Sequence, residues 1–421
     1  MRIVLIADAF PPLRTSGAVQ MRDLAQEFLR QGYRPTVLVP TPDLGKDWVS
    51  EELDGVDVMR LNSPRTKDVG HVRRTVAELL MPLAMLKNLR RSPLANVKWD
   101  AVAWYSPSIF HAGVAHWIKR RSQCPSYLII RDVFPEWAVD MGLMGKGLPY
   151  RFFKLVERYQ YSVADTIGVQ TAANLPYFSK WSTRSSRRVE VLQNWLAEAR
   201  DIGCRIRVAD GKLAGRKIFV YAGNMGVAQG MDILLDLAER LRGRSDIGFL
   251  FVGRGSEASR LRDDASRRGL ENVDFHDEIE PNEIAGLYAQ CDVGIVALDP
   301  RHKTHNIPGK FLSYMQSGLP VLANINAGND LINLIAKERV GKVCSNHDAA
   351  TLERLACELV EELGSDAGIA QRCRALAERM FSPTAVLNQI MAALARNRVP
   401  AAIQRNAVES REQAELKSEE A

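Results

Sequence analysis

Short apolar runs and amphipathic segments alternate along nearly the whole chain. The segments 19–30, 149–163 and 229–242 have apolar residues at the 3.6-residue spacing of a helix packed on a sheet. Alternation of this kind is typical of open parallel sheets. The apolar runs that predict buried strands are 3–6, 35–39, 101–104, 127–130, 167–169, 189–192, 218–222, 249–252 and 293–297.

A change in composition divides this pattern in two. Residues 194–217 are polar, rich in Arg and contain three glycines, which is typical of a linker, and the strand–helix alternation restarts at 218. We therefore predict an α/β protein of two doubly wound, Rossmann-like domains that face across a cleft. The expected bounds are 1–196 and 217–382, followed at the chain end by a polar, non-catalytic tail over 397–421.

Composition restricts the class of protein. A hydrophobic share of 46% and a charged share of 25% are ordinary for a globular protein. The six cysteines form no Cys-x-x-Cys pair, which argues against a metal cluster or a disulfide framework. The apolar run that begins the chain is too short for a signal peptide, and no run reaches the roughly 20 residues of a membrane-spanning helix. We therefore expect a cytoplasmic protein.

One segment has an unusual charge pattern. Between His71 and Lys98 there are six Lys/Arg and a single acid, Glu78, around the apolar run 79–86, which Pro82 interrupts. Such a segment suits an anionic bilayer surface. The alternative is a core helix with a solvated basic end. Aromatic nucleic-acid-binding motifs and zinc-finger spacings are missing, so we expect no nucleic-acid partner.

Three glycine-containing turns follow predicted strands and precede predicted helices. They contain Gly17, the glycines of 223–230, and the pair that flanks Arg254. Glycine permits close approach of the backbone, and a helix N-terminus offers free N–H groups to a phosphate. The alternative for each turn is that glycine serves backbone geometry only. Neither GxGxxG nor GxxxxGK[ST] occurs, which argues against a dinucleotide dehydrogenase and a P-loop NTPase.

The stretch 299–323 combines two buried strands with a polar loop and a short helix. Pro308 and Gly309 open that helix, and Lys310 stands at its mouth. A helix N-terminus with a lysine, outside the carboxyl end of a parallel strand, predicts a site for an anionic ligand.

A second candidate site follows the strand 127–130. Asp132 and Glu136 come directly after it, and open sheets bind ligands at such strand ends. A carboxylate there can act as a general base toward an attacking hydroxyl. The alternative is that Asp132 caps the next helix and Glu136 is solvated.

Several elements follow one another in a characteristic order: the opening strand with Pro11-Pro12 and Gly17, and the runs 223–230, 252–255, 288–293 and 318–321. That order resembles GT-B sugar transferases of the retaining family 4 class, over nearly the whole chain. The forms of 131–137, 223–230 and 305–310 resemble most nearly a sub-group of bacterial O-antigen and capsule transferases similar to those that move N-acetyl-L-fucosamine.

The resemblance implies a UDP-sugar donor on the C-terminal domain, with an N-acetylated deoxyhexosamine as the sugar. It implies a polyprenyl-diphosphate-linked saccharide as acceptor on the N-terminal domain, and a peripheral location on the inner face of the cell membrane. Transfer would proceed with retention and without a metal ion or other cofactor, and the leaving diphosphate can itself take the proton. A last helix, 383–396, is expected to cross back to the first domain.

Several positions depart from the family pattern. Many relatives have two glutamates separated by seven residues, where this chain has His305 and Ser313, and Arg and Lys against the diphosphate, where it has Asn224 and Gln229. His305 is a candidate catalytic residue beside Asp132 and Glu136, although it can equally be an ordinary loop residue. The candidate substrate-binding residues are Gly17, Gly223, Asn224, Gln229, Arg254, Asn306, Lys310 and Ser313.

Two other functions remain open. A sugar-nucleotide 2-epimerase shares the GT-B fold but requires no basic, membrane-facing segment. A catalytically silent nucleotide-sugar-binding partner is the other alternative, because the two glutamates are missing.

Overall fold

The computed structural model describes residues 1–13, 15–66, 69–140, 142–183, 187–199, 201–299 and 307–397. It consists of two compact units. Unit 1 contains Met1–Gln193 and the described residues from Val386 to Asn397, and unit 2 contains Asn194–Ala385.

Unit 1 is built on an eight-stranded sheet with the order β3-β4-β2-β1-β5-β6-β7-β8. All neighbouring strands are parallel except β3, which forms an antiparallel hairpin with β4 at one edge. The strands are β1 (Arg2–Ile6), β2 (Arg34–Thr41), β3 (Trp48–Leu53), β4 (Val56–Asn62), β5 (Ala101–Ser106), β6 (Ser126–Ile130), β7 (Thr166–Val169) and β8 (Arg188–Val191).

The helices of unit 1 cover this sheet. One of them continues through Pro82 without a break, because Met81, Met85 and Leu89 bury its inner face in the core and offset the lost backbone hydrogen bond. The helices are α1 (Ser16–Arg30), α2 (His71–Arg91), α3 (Ala112–Ser122), α4 (Glu136–Asp140) and α5 (Leu148–Val163).

Unit 2 is built on a six-stranded, fully parallel sheet with the order β11-β10-β9-β12-β13-β14. Alternate residues of each inner strand enter the cores on opposite faces, so that Val220 lies in one core and Tyr221 in the other. The strands are β9 (Lys217–Ala222), β10 (Ile247–Val252), β11 (Val273–His276), β12 (Val293–Ala297), β13 (Val321–Asn324) and β14 (Gly341–Cys344).

Helices flank this sheet. They are α6 (Asp232–Arg240), α7 (Ala258–Arg267), α8 (Ile284–Tyr288), α9 (Gly309–Ser317), α10 (Asp330–Glu338), α11 (Ala349–Ser365) and α12 (Ile369–Leu376). The chain then returns to unit 1 in α13 (Pro383–Arg396), which belongs to unit 1 from Val386.

The predicted fold class, two Rossmann-like α/β units, is confirmed. The structure differs from the sequence prediction in two places. The stretch 194–217 belongs to unit 2, where Ile206, Val208 and Leu213 are buried in the core in spite of its polar composition. The β3–β4 hairpin was not predicted.

Candidate functional site

The strand order of unit 2 reverses at the adjacent ends of β9 and β12, where an open α/β sheet is expected to have a crevice. The chain leaves β9 toward β10 on one side and leaves β12 toward β13 on the other. In open α/β sheets, ligands bind outside the carboxyl ends of the strands at such a reversal. Two predicted elements lie there, the loop 223–230 after β9 and the helix α9 after β12.

The loop 223–230 packs against the turn that follows β10. Gly223 N donates to the Val252 carbonyl at 2.8 Å, and Met225 N donates to the Arg254 carbonyl at 2.8 Å. A Cβ atom at Gly253 would lie 2.0 Å from the Gly223 carbonyl oxygen, and φ at Gly253 is 145°. Close packing of two loops therefore requires glycine at 253, and contact with a phosphate is not needed to explain it.

Lys310 is the second residue of α9 and reaches back over β9. Its Nζ atom lies 3.7 Å from the centre of the Tyr221 ring, and a Cβ atom at Gly223 would be 3.7 Å from the same Nζ. Burial lowers the pKa of Lys310 to about 7, and no described carboxylate offsets that effect. A helix N-terminus also disfavours a positive charge. An anion in this crevice would therefore complete the site.

Helix α9 is fixed over the β9–β12 junction by Tyr314. This ring is fully buried, and its hydroxyl lies 3.1 Å from the Val220 carbonyl and 3.2 Å from that of Ile295. The ring packs against Gly294, where a Cβ atom would lie 2.4 Å from Tyr314 Cγ. These contacts set the position of Lys310 relative to the loop 223–230.

The structure places the other candidate residues of unit 2 around the same strand ends. Asn224 Nδ2 lies 3.2 Å from Gln229 Oε1, which also accepts from Gly226 N at 3.0 Å. Arg254 is largely exposed and pairs with Glu278 at 3.0 Å. Ser313 lies one turn after Lys310 on α9 and is half-buried. His305 and Asn306 lie outside the described residues.

Buried polar groups at the ends of β13 and β14 were missed by the sequence reasoning. Three buried atoms, Oδ1 of Asn324, Oδ1 of Asn326 and Nε2 of His347, have no hydrogen-bond partner among the residues that the structure describes. Asn324 Nδ2 lies 3.0 Å from His347 Nδ1, and this donor leaves the His347 proton on Nε2 when the ring is neutral. No motif signalled this cluster, because its members come from separate loops.

In unit 1 the two predicted acids have different surroundings. Asp132 lies just after β6, and much of its surface is exposed. The protein around its carboxyl still removes part of the water there and raises its pKa, while the adjacent Arg131 guanidinium opposes this effect. Glu136 begins α4, and its Oε1 atom accepts from Lys154 Nζ at 3.0 Å and from the Tyr150 hydroxyl at 3.1 Å. Lys154 also pairs with the buried Glu157 at 2.5 Å. Glu136 is thus held in an ion-pair network and is not simply solvated.

A histidine–aspartate pair beside Asp132 was also missed. His111 is fully buried, and its Nε2 lies 2.5 Å from Asp8 Oδ1, which follows β1. The charges of Asp8 and Asp132 both act on Tyr105, whose pKa is raised mainly by burial. Since β1, β5 and β6 are neighbours in the sheet, these groups share one edge of unit 1. A Cβ atom at Gly17 would lie 3.2 Å from Tyr105 Cε1, which places Gly17 there too.

Two models of known protein families match most of this chain. Residues 16–195 match the model of a glycosyl transferase 4-like domain. Residues 216–362 match the model named glycosyl transferases group 1. The chain belongs to the group 1 glycosyltransferases.

Two curated relatives of this group 1 chain come from bacteria. It is 25% identical over 250 residues to a probable glycosyltransferase, WbjE, of Pseudomonas aeruginosa, across 58% of this chain and 62% of WbjE. It is 24% identical over 265 residues to WcaI of Escherichia coli, a putative colanic acid biosynthesis glycosyl transferase, across 60% of this chain and 62% of WcaI. The match therefore spans less than two thirds of each relative.

Solved structures share the GT-B fold over a longer stretch. HepE of Anabaena, solved in complex with UDP-glucose, aligns with 94% of this chain and 100% of its own, with a TM-score of 0.60 and 16% identity. At that identity the likeness shows the fold alone. In the described part of the chain, no helix combines the length and apolar composition that a membrane crossing requires.

Proposed function

We propose that this group 1 glycosyltransferase transfers a sugar from a UDP-sugar, with retention, to a lipid-diphosphate-linked saccharide in the synthesis of a bacterial surface polysaccharide. The proposed UDP-sugar donor rests on the position of Lys310. A partly buried lysine with a lowered pKa stands at a helix N-terminus, at the reversal of the unit 2 sheet, with no described carboxylate to pair with it. A diphosphate supplies the missing charge.

The donor would lie along the loop 223–230, with its diphosphate against Lys310 and the N-terminus of α9. Asn224 and Gln229 would add neutral amide contacts, and Ser313 would face the ribose. The solved HepE complex with UDP-glucose supports this assignment, since that protein has the same fold. His305 and Asn306 stay predicted contacts of the sugar and diphosphate.

The acceptor hydroxyl would bind at the edge of unit 1 that carries Asp132. This carboxylate is the better candidate to hydrogen-bond the acceptor hydroxyl, because Glu136 is already engaged by Lys154 and Tyr150. In the retaining route, the hydroxyl attacks the anomeric carbon from the side that the diphosphate leaves, and the departing phosphate oxygen takes the proton. Asp132 would then orient the hydroxyl. The pair of Asp8 and the buried His111 would hold the same edge in place.

The finer parts of the proposal concern substrate and location. We infer an N-acetylated deoxyhexosamine as the sugar, a polyprenyl-diphosphate-linked acceptor, a metal-independent reaction, and a peripheral position on the inner face of the cell membrane. The relative named for colanic acid biosynthesis supports a polysaccharide role.

A donor screen tests the proposal. Purified protein is incubated with a panel of UDP-sugars, with and without detergent-dispersed polyprenyl-diphosphate saccharides, and both UDP release and the products are measured. We expect UDP release that depends on the acceptor. We also expect a longer glycan whose new linkage has the same anomeric configuration as the donor sugar. An isomerised donor without acceptor would instead identify a 2-epimerase. Donor binding without turnover across the panel would identify a silent binding partner.

A further inference from the structure

Helix α2 has an outward face with an apolar centre and basic ends. Val76, Leu80 and Leu83 follow one another at helical spacing, and 50%, 48% and 63% of their surfaces are exposed. The same face continues to Arg73 on one side and to Lys87 on the other. The opposite face is in the core, so the exposure of these aliphatic side chains is not needed for packing of unit 1.

Helix α5 repeats this arrangement. Leu148, Phe152, Leu155 and Tyr159 occur at steps of four, three and four residues, and 79% of Leu148 and 66% of Leu155 are exposed. Arg151 and Arg158 are exposed next to this stripe. No sequence motif marked α5 as a surface of interest.

The two helices flank α3 in a single layer. Pro82 of α2 is 3.5 Å from the Cβ position of Gly113 in α3, and His116 Nδ1 of α3 lies 2.9 Å from the Tyr159 hydroxyl of α5. The Arg90 guanidinium of α2 lies over the Trp117 ring of α3 at 5.6 Å. The apolar stripes of α2 and α5 therefore lie on the same side of unit 1. We call this surface, formed by α2, α3 and α5, the helical face.

Most charged residues of the helical face are basic, although Arg91 pairs with Asp47 at 2.9 Å and Lys119 pairs with Asp165 at 2.7 Å from neighbouring elements. Its two acidic residues are Glu78, which pairs with Arg74 at 2.8 Å, and Glu157, which is buried against Lys154. The basic residues of the three helices are Arg73, Arg74, Lys87, Arg90, Arg91, Lys119, Arg120, Arg121, Arg151, Lys154 and Arg158.

We propose that the helical face docks on an anionic lipid bilayer, with the leucines of both α2 and α5 in the headgroup region and the surrounding Arg and Lys on lipid phosphates. Aliphatic side chains bordered by cations suit this surface. A second copy of the chain would oppose the same positive charge, so self-association through this face is disfavoured. The inference rests on the proposed peripheral location and names the surface that provides it.

The experiment measures co-sedimentation of the full chain with vesicles that contain neither donor nor acceptor. Vesicles of phosphatidylcholine with 30% phosphatidylglycerol are compared with vesicles of phosphatidylcholine alone. We expect binding to the anionic vesicles that is at least about tenfold stronger than to neutral ones and weakens in high salt. The variants Leu83→Ser and Leu155→Ser should each reduce binding about three- to tenfold. Ile202→Ser, at an equally exposed position of unit 2, should leave binding unchanged.

Each outcome separates docking from catalysis. All variants are first checked for unchanged UDP affinity and melting temperature, which is expected because the substituted side chains are exposed. Equal binding by wild type and both leucine variants would overturn the proposal, as would a dimer in sedimentation velocity that only the leucine variants abolish. A wild type that binds no vesicle but transfers sugar to a detergent-dispersed acceptor would overturn the docking surface and leave the proposed function standing.

Discussion

At the scale of single residues, Lys310 links the structure to a measurable property of the donor site. Burial lowers its pKa to about 7, so at pH 8 about nine-tenths of the side chains are uncharged in the free protein. A bound diphosphate would restore the charge and raise the pKa. We therefore expect uptake of close to one proton per UDP at pH 8, where the UDP phosphates, with a last pKa near 6, are already ionised.

Calorimetry in two buffers of different ionisation enthalpy measures this uptake directly. Proton uptake also determines how UDP affinity depends on pH. Binding that takes up a proton weakens as pH rises, by up to about tenfold per pH unit above pH 8. Lys310→Met should bind UDP several-fold more weakly at pH 7 and show no such uptake. Wild-type protein without proton uptake would contradict the assignment of Lys310 to the diphosphate.

The two acids of the unit 1 site should respond differently to removal of their charge. Asp132→Asn should lower turnover by roughly 10²-fold while UDP affinity changes by less than about twofold, as expected of a group that positions the acceptor hydroxyl. Steady-state rates and calorimetry on the same preparation measure both quantities. An Asp132→Asn enzyme with the wild-type rate would remove this residue from the mechanism.

Glu136→Gln provides the contrast. Its carboxylate accepts hydrogen bonds from Lys154 and Tyr150, so the loss of its charge should lower the free energy of unfolding by about 1–3 kcal/mol. Chemical denaturation measures that change. A different result would contradict this role. If Glu136→Gln kept its stability but lost as much turnover as Asp132→Asn, the carboxylate of Glu136 would be needed for the reaction and not for the ion-pair network.

At the scale of elements, the donor crevice depends on the packing of two loops. At Gly253 a Cβ atom would lie 2.0 Å from the Gly223 carbonyl oxygen, so Gly253→Ala should displace the loop 223–230. We expect a loss of roughly 2–4 kcal/mol in unfolding free energy together with weaker UDP binding. Gly243→Ala is the matched control, because nothing lies within 4 Å of its Cβ position. Thermal denaturation with and without UDP tests both variants.

The elements also show how far sequence could predict this site. The glycine loop and α9 were predictable because strand, turn, glycine and lysine are local in the chain. The Asp8–His111 pair was not, since the two residues are 103 positions apart and meet only because β1 and β5 are neighbours in the sheet. The β3 strand was missed because its residues are only partly buried and show no continuous apolar run.

At the scale of the whole molecule, the two units have separate hydrophobic cores, and the donor site as proposed lies within unit 2. A ligand stabilises only what it binds, by about 2.7 kcal/mol at a hundred times its dissociation constant. We therefore expect UDP to slow hydrogen exchange in unit 2, most strongly in 223–230 and α9. Exchange followed by mass spectrometry would show this pattern, and protection confined to unit 1 would contradict it.

The last described helix, α13, should stabilise unit 1, although it follows unit 2 in the chain. After completing unit 2, the chain ends its described part in unit 1, where α13 buries Val386, Leu387 and Ile390, and Gln389 Nε2 donates to the Val191 carbonyl at 2.8 Å. Ile390→Ala should therefore cost about 2–5 kcal/mol in unit 1, although its sequence neighbours upstream belong to unit 2.

Leu359→Ala in α11 is the matched change in unit 2, since both side chains are fully buried. Hydrogen exchange of peptides from β7 and β8 reports on unit 1, and exchange of peptides from β13 and β14 reports on unit 2. Faster exchange in β7 and β8 of the Ile390 variant, with β13 and β14 unchanged, would show that the end of the chain stabilises the first unit. The Leu359 variant should give the reverse pattern, because its cavity opens in the other core. If both variants loosen both sheets equally, the two cores unfold as one cooperative body, and UDP would then stabilise the whole chain.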